Sequence, residues 1–190
     1  MIQIIGISGS LRKGSYNTAL LRAAQSLMPQ GSQLEVALLE GIPLYHGDEE
    51  EKHGIPEAVT KLKEKIISSQ GLILATPEYN NSIPGVFKNA IDWLSRPPAD
   101  IAKVFHGRPV ALMGATPGQG GTLLAQNAWL PVLKTLGTLS WNGGRQLVSR
   151  AHQVFNESGE LTDAGVRENL QKFLTAFVGF IQEVGPSKKS

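Results

Sequence analysis

Three segments of the chain carry residues able to do chemistry. The first reads Gly6-Ile-Ser-Gly-Ser-Leu-Arg-Lys-Gly-Ser-Tyr-Asn17. It brings together small residues, the hydroxyls of Ser8, Ser10 and Ser15, the cations Arg12 and Lys13, and the amide of Asn17. A helix beginning inside this segment would leave its first N–H groups unpaired and partially positive, which suits a phosphate. Arg12 could then donate a bidentate, charge-assisted pair, and Ser10, Ser15 and Asn17 could donate single bonds. A plain turn with serine caps would not need Arg12, Lys13 and Asn17 as well, so the segment is read as an anion site.

Familiar patterns do not fit it. The spacing of Gly6, Gly9 and Gly14 fails the G-x-G-x-x-G dinucleotide fingerprint, and Ser15-Tyr16 stands where a Walker A motif needs Lys and Ser or Thr. A G-x-S-x-G nucleophile elbow would need glycine where Ser10 stands.

The second segment is Thr76-Pro-Glu-Tyr-Asn-Asn-Ser-Ile-Pro84. Pro77 and Pro84 restrict its backbone, and Tyr79 offers an aromatic face among polar neighbours. Such a loop can curl round a flat heteroaromatic ring or simply join a strand to a helix. The third segment, Gly114-Ala-Thr-Pro-Gly-Gln-Gly-Gly121, has four glycines in eight residues. That allows close backbone approach to a ligand, or a floppy connection.

The elements that position these loops follow from periodicity. Ile2–Ile7, Leu34–Leu39, Gly71–Thr76 and Pro109–Gly114 are short apolar runs of the kind that form buried strands. A fifth strand is predicted between Thr138 and Val148, interrupted by Asn142-Gly143-Gly144. Helices are predicted over Tyr16–Met28, over Pro56–Ser69, from Pro84 onward, and from a cap at Thr162 or Asp163. Gly121–Leu136 reads as a helix kinked or broken at Pro131. Strand–helix alternation of this kind predicts an α/β sandwich on a parallel sheet. The three loops then follow strands one, three and four, at the sheet end where ligands bind in such folds. A single domain over 1–185 with a frayed tail at 186–190 is expected.

Composition narrows the function. Lys and Arg total 18 against 16 Asp and Glu, a net charge of +2, too balanced for a nucleic-acid binder working by bulk charge. The chain has no cysteine, which excludes a thiolate nucleophile, a Cys-ligated metal and a disulfide framework. Any redox chemistry must therefore use a bound cofactor. Met1–Leu11 carries no charge ahead of an apolar run, and the uncharged stretch Pro109–Leu133 is broken by prolines and glycines. Neither a signal peptide nor a membrane span is expected, and a cytoplasmic location is the default.

Gly9-Ser-Leu-Arg-Lys-Gly-Ser-Tyr-Asn17, Thr76-Pro-Glu-Tyr-Asn80 with Ser82 and Pro84-Gly85, and Lys88-Asn-Ala-Ile-Asp-Trp-Leu-Ser95 together resemble the NADPH-dependent FMN reductase family, nearest its bacterial chromate/quinone reductases. The resemblance implies a flavodoxin-like three-layer sandwich with strand order 2-1-3-4-5, non-covalent FMN, and a homodimer or homotetramer. It implies that Ser10, Leu11, Arg12, Ser15, Tyr16 and Asn17 hold the phosphate and ribityl chain. Pro77, Glu78, Tyr79 and Asn80 would line the isoalloxazine and ribityl, with the pyrimidine side meeting Ala115. It also implies a ping-pong cycle in which NADPH or NADH reduces the flavin and a quinone, chromate or free flavin takes two electrons. The flavin carries that chemistry, and no side chain is assigned as acid or base.

Two other functions fit the sequence less well. A flavodoxin-type electron carrier would be strongly acidic with a Thr-rich phosphate loop, against the +2 charge and Arg12 here. A serine hydrolase using Ser8 or Ser10 with His152 lacks the elbow and an acid partner. His46, His53, His106 and His152 show no metal-ligand spacing, and Asp48–Glu51 is read as a solvated acidic loop. Trp93, Trp129 and Trp141 are read as core or subunit-interface residues, the Tyr45–His53 stretch being implicated in dimer contacts by the resemblance.

Overall fold

The computed structural model describes residues 1–185, so the tail at 186–190 lies outside the described residues. The elements in chain order are β1 (Ile2–Ser8), α1 (Tyr16–Ser26), β2 (Ser32–Ala37), α2 (Gly47–His53), α3 (Glu57–Ile67), β3 (Gly71–Ala75), α4 (Gly85–Leu94) and α5 (Ile101–Val104). They continue with β4 (Pro109–Ala115), α6 (Leu123–Thr135), β5 (Leu139–Ser140), β6 (Gln146–Val148), α7 (Ala151–Val154) and α8 (Ala164–Val184). All strands pair in parallel in the order β2-β1-β3-β4-β5, with β6 also on β4.

Both faces of the sheet are covered, which is why its central strands are apolar without polar alternation. Ile4, Ile73, Ala111 and Met113 face α1 and α8. Their strand neighbours Ile5, Leu72, Leu74 and Val110 face α3, α4 and α6. This period-2 alternation divides one sheet between two cores. Ser15 caps α1 by accepting from the Thr18 N–H, and Asp163, not Thr162, caps α8 by accepting from Val166.

Three elements depart from the sequence reading. The fifth strand position holds two fragments: Leu139 and Ser140 pair with Pro109 and Val110, and Gln146–Val148 pair with Met113–Ala115. Between them Gly143 and Gly144 lie against the Trp141 indole, where a Cβ on Gly143 would collide and one on Gly144 would be tight. Helix α6 runs without a break through Pro131. Pro131 and Asn127, four residues earlier, are both exposed, so water can satisfy the carbonyl that proline leaves unpaired. The acidic stretch Asp48–Glu51 is helical, not a loop, with Asp48, Glu49 and Glu50 favourably placed in the first turn of α2.

The strap from β2 to α2 is pinned to α4. Pro43 O accepts from Asn89 Nδ2 and Trp93 Nε1, the Tyr45 N–H donates to Asn89 Oδ1, and Arg96 Nε donates to the Glu50 carboxylate. Trp93 and Trp129 are core residues, whereas Trp141 is half-buried against Phe173 and Phe177. At the opposite end of the sheet Arg108 donates to the carbonyls of Val104, Ser69 and Lys103, closing the C-terminal ends of α3 and α5. Its burial among carbonyls pulls its pKa below the usual guanidinium value.

Candidate functional site

Strands β1, β3 and β4 are neighbours, so the loops leaving their carboxyl ends meet. The junctions are stitched by backbone bonds, Gly9 N–H to Ala75 O and Thr76 N–H to Met113 O, each 2.9 Å. Glycine is required at two of them. A Cβ on Gly9 would overlap the Phe87 ring, and one on Gly114 would overlap Thr122 Oγ1 and Thr76 O.

The β1–α1 loop presents an array of donors. Ser10 Oγ accepts from the Arg12 N–H and Ser15 Oγ from the Thr18 N–H, both at 3.3 Å, which leaves both hydroxyl protons to donate elsewhere. The N–H groups of Leu11, Lys13, Gly14, Tyr16 and Asn17 have no partner among the described residues. Arg12 and Lys13 are exposed and make no ion pair there. The set complements a phosphate dianion. Two of the expected side chains turn elsewhere. The Tyr16 ring stacks on Phe155 at 5.9 Å, leaving its N–H as its contribution to the loop. The Asn17 amide engages Ala115: Nδ2 donates to Ala115 O at 2.9 Å and Oδ1 accepts from Ala115 N–H at 3.0 Å.

The hydrolase alternative has no geometry to support it. Ser8 is buried with its hydroxyl on Thr18 Oγ1 at 2.7 Å. Ser10 is bonded within its own loop, and His152 lies exposed on α7.

The loop after β3 is rigid at its root and tight at its tip. Thr76 Oγ1 donates to Pro77 O at 2.9 Å and accepts from Trp129 Nε1 at 3.1 Å. Tyr79 and Ser82 exchange two backbone bonds across Asn80 (φ 49°) and Asn81 (φ 61°). Two left-handed central residues mark a type I′ turn, for which asparagine is well suited. The turn leaves Tyr79 46% exposed. Glu78, half-buried, accepts from the Ala125 N–H in the first turn of α6 at 3.0 Å.

The Gly-rich third loop is anchored in its first half. Thr116 N–H donates to Val148 O, Gly118 N–H to Thr116 Oγ1, Arg150 N–H to Gly118 O and Ala151 N–H to Thr116 O. Gly121 (φ 58°) and Thr122 (φ 69°) then turn the chain into α6. Gln126 Nε2 bonds Thr122 Oγ1, while its Oε1 is the buried side-chain polar atom left without a partner among the described residues.

The predicted residues thus come together at one end of the sheet, with Ser10, Ser15, Asn17, Pro77 and Ala115 buried, Tyr16 and Glu78 half-buried, and Leu11, Arg12, Tyr79 and Asn80 exposed. Sequence reasoning missed Thr18, Thr122 and Trp129, which brace the loops. They sit outside the conspicuous motifs or lack polar neighbours in sequence, so no local signal marks them. Among the described residues no group of three or more His, Cys, Asp or Glu could hold a metal, and no helix is long and apolar enough to cross a membrane.

A doubly wound parallel sheet of order β2-β1-β3-β4-β5, with a donor-rich loop after its first strand, defines a flavodoxin-like protein. Residues 2–153 match the NADPH-dependent FMN reductase family, and the chain belongs to it. It is 44% identical over 175 residues to an NAD(P)H-dependent FMN reductase of Pseudomonas aeruginosa, covering 92% of each chain. It is 35% identical over 185 residues to a quinone reductase of Escherichia coli, covering 96% of this chain and 97% of that one. Among solved structures, the flavoenzyme NAD(P)H:(acceptor) oxidoreductase FerB of Paracoccus denitrificans superposes with a TM-score of 0.83 at 34% identity, over 96% of this chain and 98% of that one.

Proposed function

We propose that this chain is an FMN-dependent NAD(P)H oxidoreductase that passes two electrons to quinones. One observation carries the reading. Unpaired N–H groups, two serine hydroxyls, Arg12 and Lys13 converge at the start of α1, beside a rigid loop that exposes Tyr79. Bound FMN would supply the redox chemistry, taking a hydride from NAD(P)H and returning two electrons to the acceptor.

The residues have distinct tasks in this reading. Arg12, Ser10, Ser15 and the loop N–H groups bind the phosphate, with Leu11 and Tyr16 contributing backbone. Pro77, Glu78, Tyr79 and Asn80 set the wall along the ring, and Ala115 its pyrimidine side. Tyr79 gives that wall an aromatic edge that excludes water from one side of the ring. No side chain is assigned a proton to move. The relatives named for NAD(P)H and quinones support the donor and acceptor classes. A single FMN-binding domain over 1–185 and a cytoplasmic location, where NAD(P)H is available, belong to the same proposal. So does a homodimer, supported by Leu44, which is 82% exposed between the pinned residues Pro43 and Tyr45.

The test is a visible spectrum of the purified protein followed by anaerobic NADPH and then a quinone. The flavin bands should be present or appear with added FMN, bleach with NADPH and return with quinone. Protein that takes up no FMN overturns the proposal, and bound flavin that NADPH leaves coloured points to an electron carrier instead.

A further inference from the structure

We propose that the Asn17 side chain is a positioning group that clamps the third loop onto the first, and not a ligand of the flavin phosphate, which only the backbone N–H of this residue can reach. The inference rests on the FMN reading above, and its geometry stands apart from it. A side-chain amide offers one carbonyl oxygen and one NH2 group. In Asn17 both bond the backbone of one residue, Ala115, at 3.0 and 2.9 Å. Both residues are 3% exposed.

The sheet explains why Ala115 needs these bonds. Within a strand, successive residues direct their N–H and C=O groups to opposite neighbours. The Thr116 N–H goes to Val148 on the β6 side. The N–H and C=O of Ala115 point to the other side, where the last β3 pairing is Ala75 with Met113. Strand β3 has already turned away into Thr76-Pro77, and Asn17 supplies the donor and acceptor that a longer β3 would have given. Swinging the amide toward a phosphate would break both bonds and leave two buried backbone groups unpaired. The amide therefore stays on Ala115, and it sets how far the third loop stands from the phosphate loop.

A phosphate ligand and a clamp respond differently when the phosphate is removed from the flavin. Loss of a phosphate ligand weakens FMN and leaves riboflavin unaffected. Loss of the clamp weakens both by the same factor, because the displaced loop serves the ring. For Asn17→Ala the expected result is a drop of about tenfold in affinity for FMN and for riboflavin alike, with their ratio unchanged within about twofold. Arg12→Ala, by contrast, should collapse the ratio. In flavin-free protein at a temperature well below unfolding, the Ala115 amide of Asn17→Ala should exchange its hydrogen about tenfold faster or more, while Met113 keeps its protection. Asn17→Asp is the second variant. It keeps an acceptor for the Ala115 N–H but sets a carboxylate oxygen against Ala115 O, and should weaken both flavins equally.

Two results overturn the inference: a loss of affinity confined to FMN, or unchanged Ala115 exchange in Asn17→Ala. If neither variant folds, wild-type protein decides. The Asn17 side-chain amide should exchange at the same rate with FMN and with riboflavin bound, and added protection specific to FMN would make it a phosphate ligand. Wild-type protein that binds neither flavin would sink the functional proposal, while the exchange of Ala115 would still judge the clamp.

Discussion

Glu78 and Ala125 are joined by a 3.0 Å hydrogen bond from the Ala125 N–H to the Glu78 carboxylate, so the loop after β3 caps the helix that follows the third loop. The carboxylate satisfies one of the N–H groups that a helix leaves open and sits at the positive end of its dipole. Glu78→Ala is expected to cost about 1 kcal/mol of stability, the usual loss on removing a cap. Glu78→Gln keeps an acceptor and should lose less. Chemical denaturation of the two variants checks the order, and equal losses would mean that only the charge matters.

The turn at Asn80 and Asn81 gives a second prediction. Both residues are left-handed, with φ of 49° and 61°. Alanine at either position should destabilise by about 1–2 kcal/mol, the cost of placing a Cβ in that conformation without asparagine's local bonding. Asn81→Gly should be far milder. Thermal melts of the three variants measure this directly, and an unperturbed Asn81→Ala would mean that the turn adopts another form in solution.

At the root of the β1–α1 loop, Gly9 leaves no room for a side chain against the Phe87 ring. Phe87 is fully buried and meets Trp129 edge-on at 4.9 Å. Gly9→Ala should cost about 1–3 kcal/mol, as overpacking does. It should also weaken FMN, because the ring can only yield by moving the loop. A variant of normal stability and FMN affinity would show that Phe87 gives way freely.

Glu50 makes the strap over α4 sensitive to pH. The Arg96 guanidinium bonded to it holds its carboxyl below the usual range, while the Glu50 carboxylate pushes the Tyr45 hydroxyl above its usual 10.0. A depressed carboxylate pKa contributes stability above the unfolded value, 4.5, and loses it as pH falls through the folded one. The raised tyrosine pKa works the other way, its contribution fading as pH climbs beyond 10.0. The difference in melting temperature between wild type and Glu50→Gln should thus be flat near neutrality and close in acid. A gap that persists in acid would remove Glu50 from the strap.

Much of the candidate site's placement is legible in the sequence because its donors are local. Arg12, Ser10 and Ser15 suggest an anion site by type and spacing alone, since a helix N-terminus and its flanking donors are built from consecutive residues. The paired asparagines at Asn80 and Asn81 do not by themselves specify the turn, because their meaning depends on the bond pair between Tyr79 and Ser82. In sequence Asn17 is one more donor in its loop. Nothing near it in sequence points to Ala115, 98 residues away. Pro131 predicts a kink or break because its missing N–H is a local fact, whereas the exposure that lets α6 continue through it is a property of the fold.

By itself the sequence determined the layered α/β plan, the three loops at one sheet end and the need for a borrowed cofactor in a chain without cysteine. Periodicity and local donor chemistry act over a few residues, so they can be read along the chain. Tertiary structure decided which of those donors stay free. Strand β3 ends two residues short of Ala115's level, and Asn17 is drawn into the gap it leaves. Glu78 is likewise taken by a helix more than forty residues on. A buried polar group must find a partner wherever the fold brings one, and only the folded chain shows which side chains that demand has claimed.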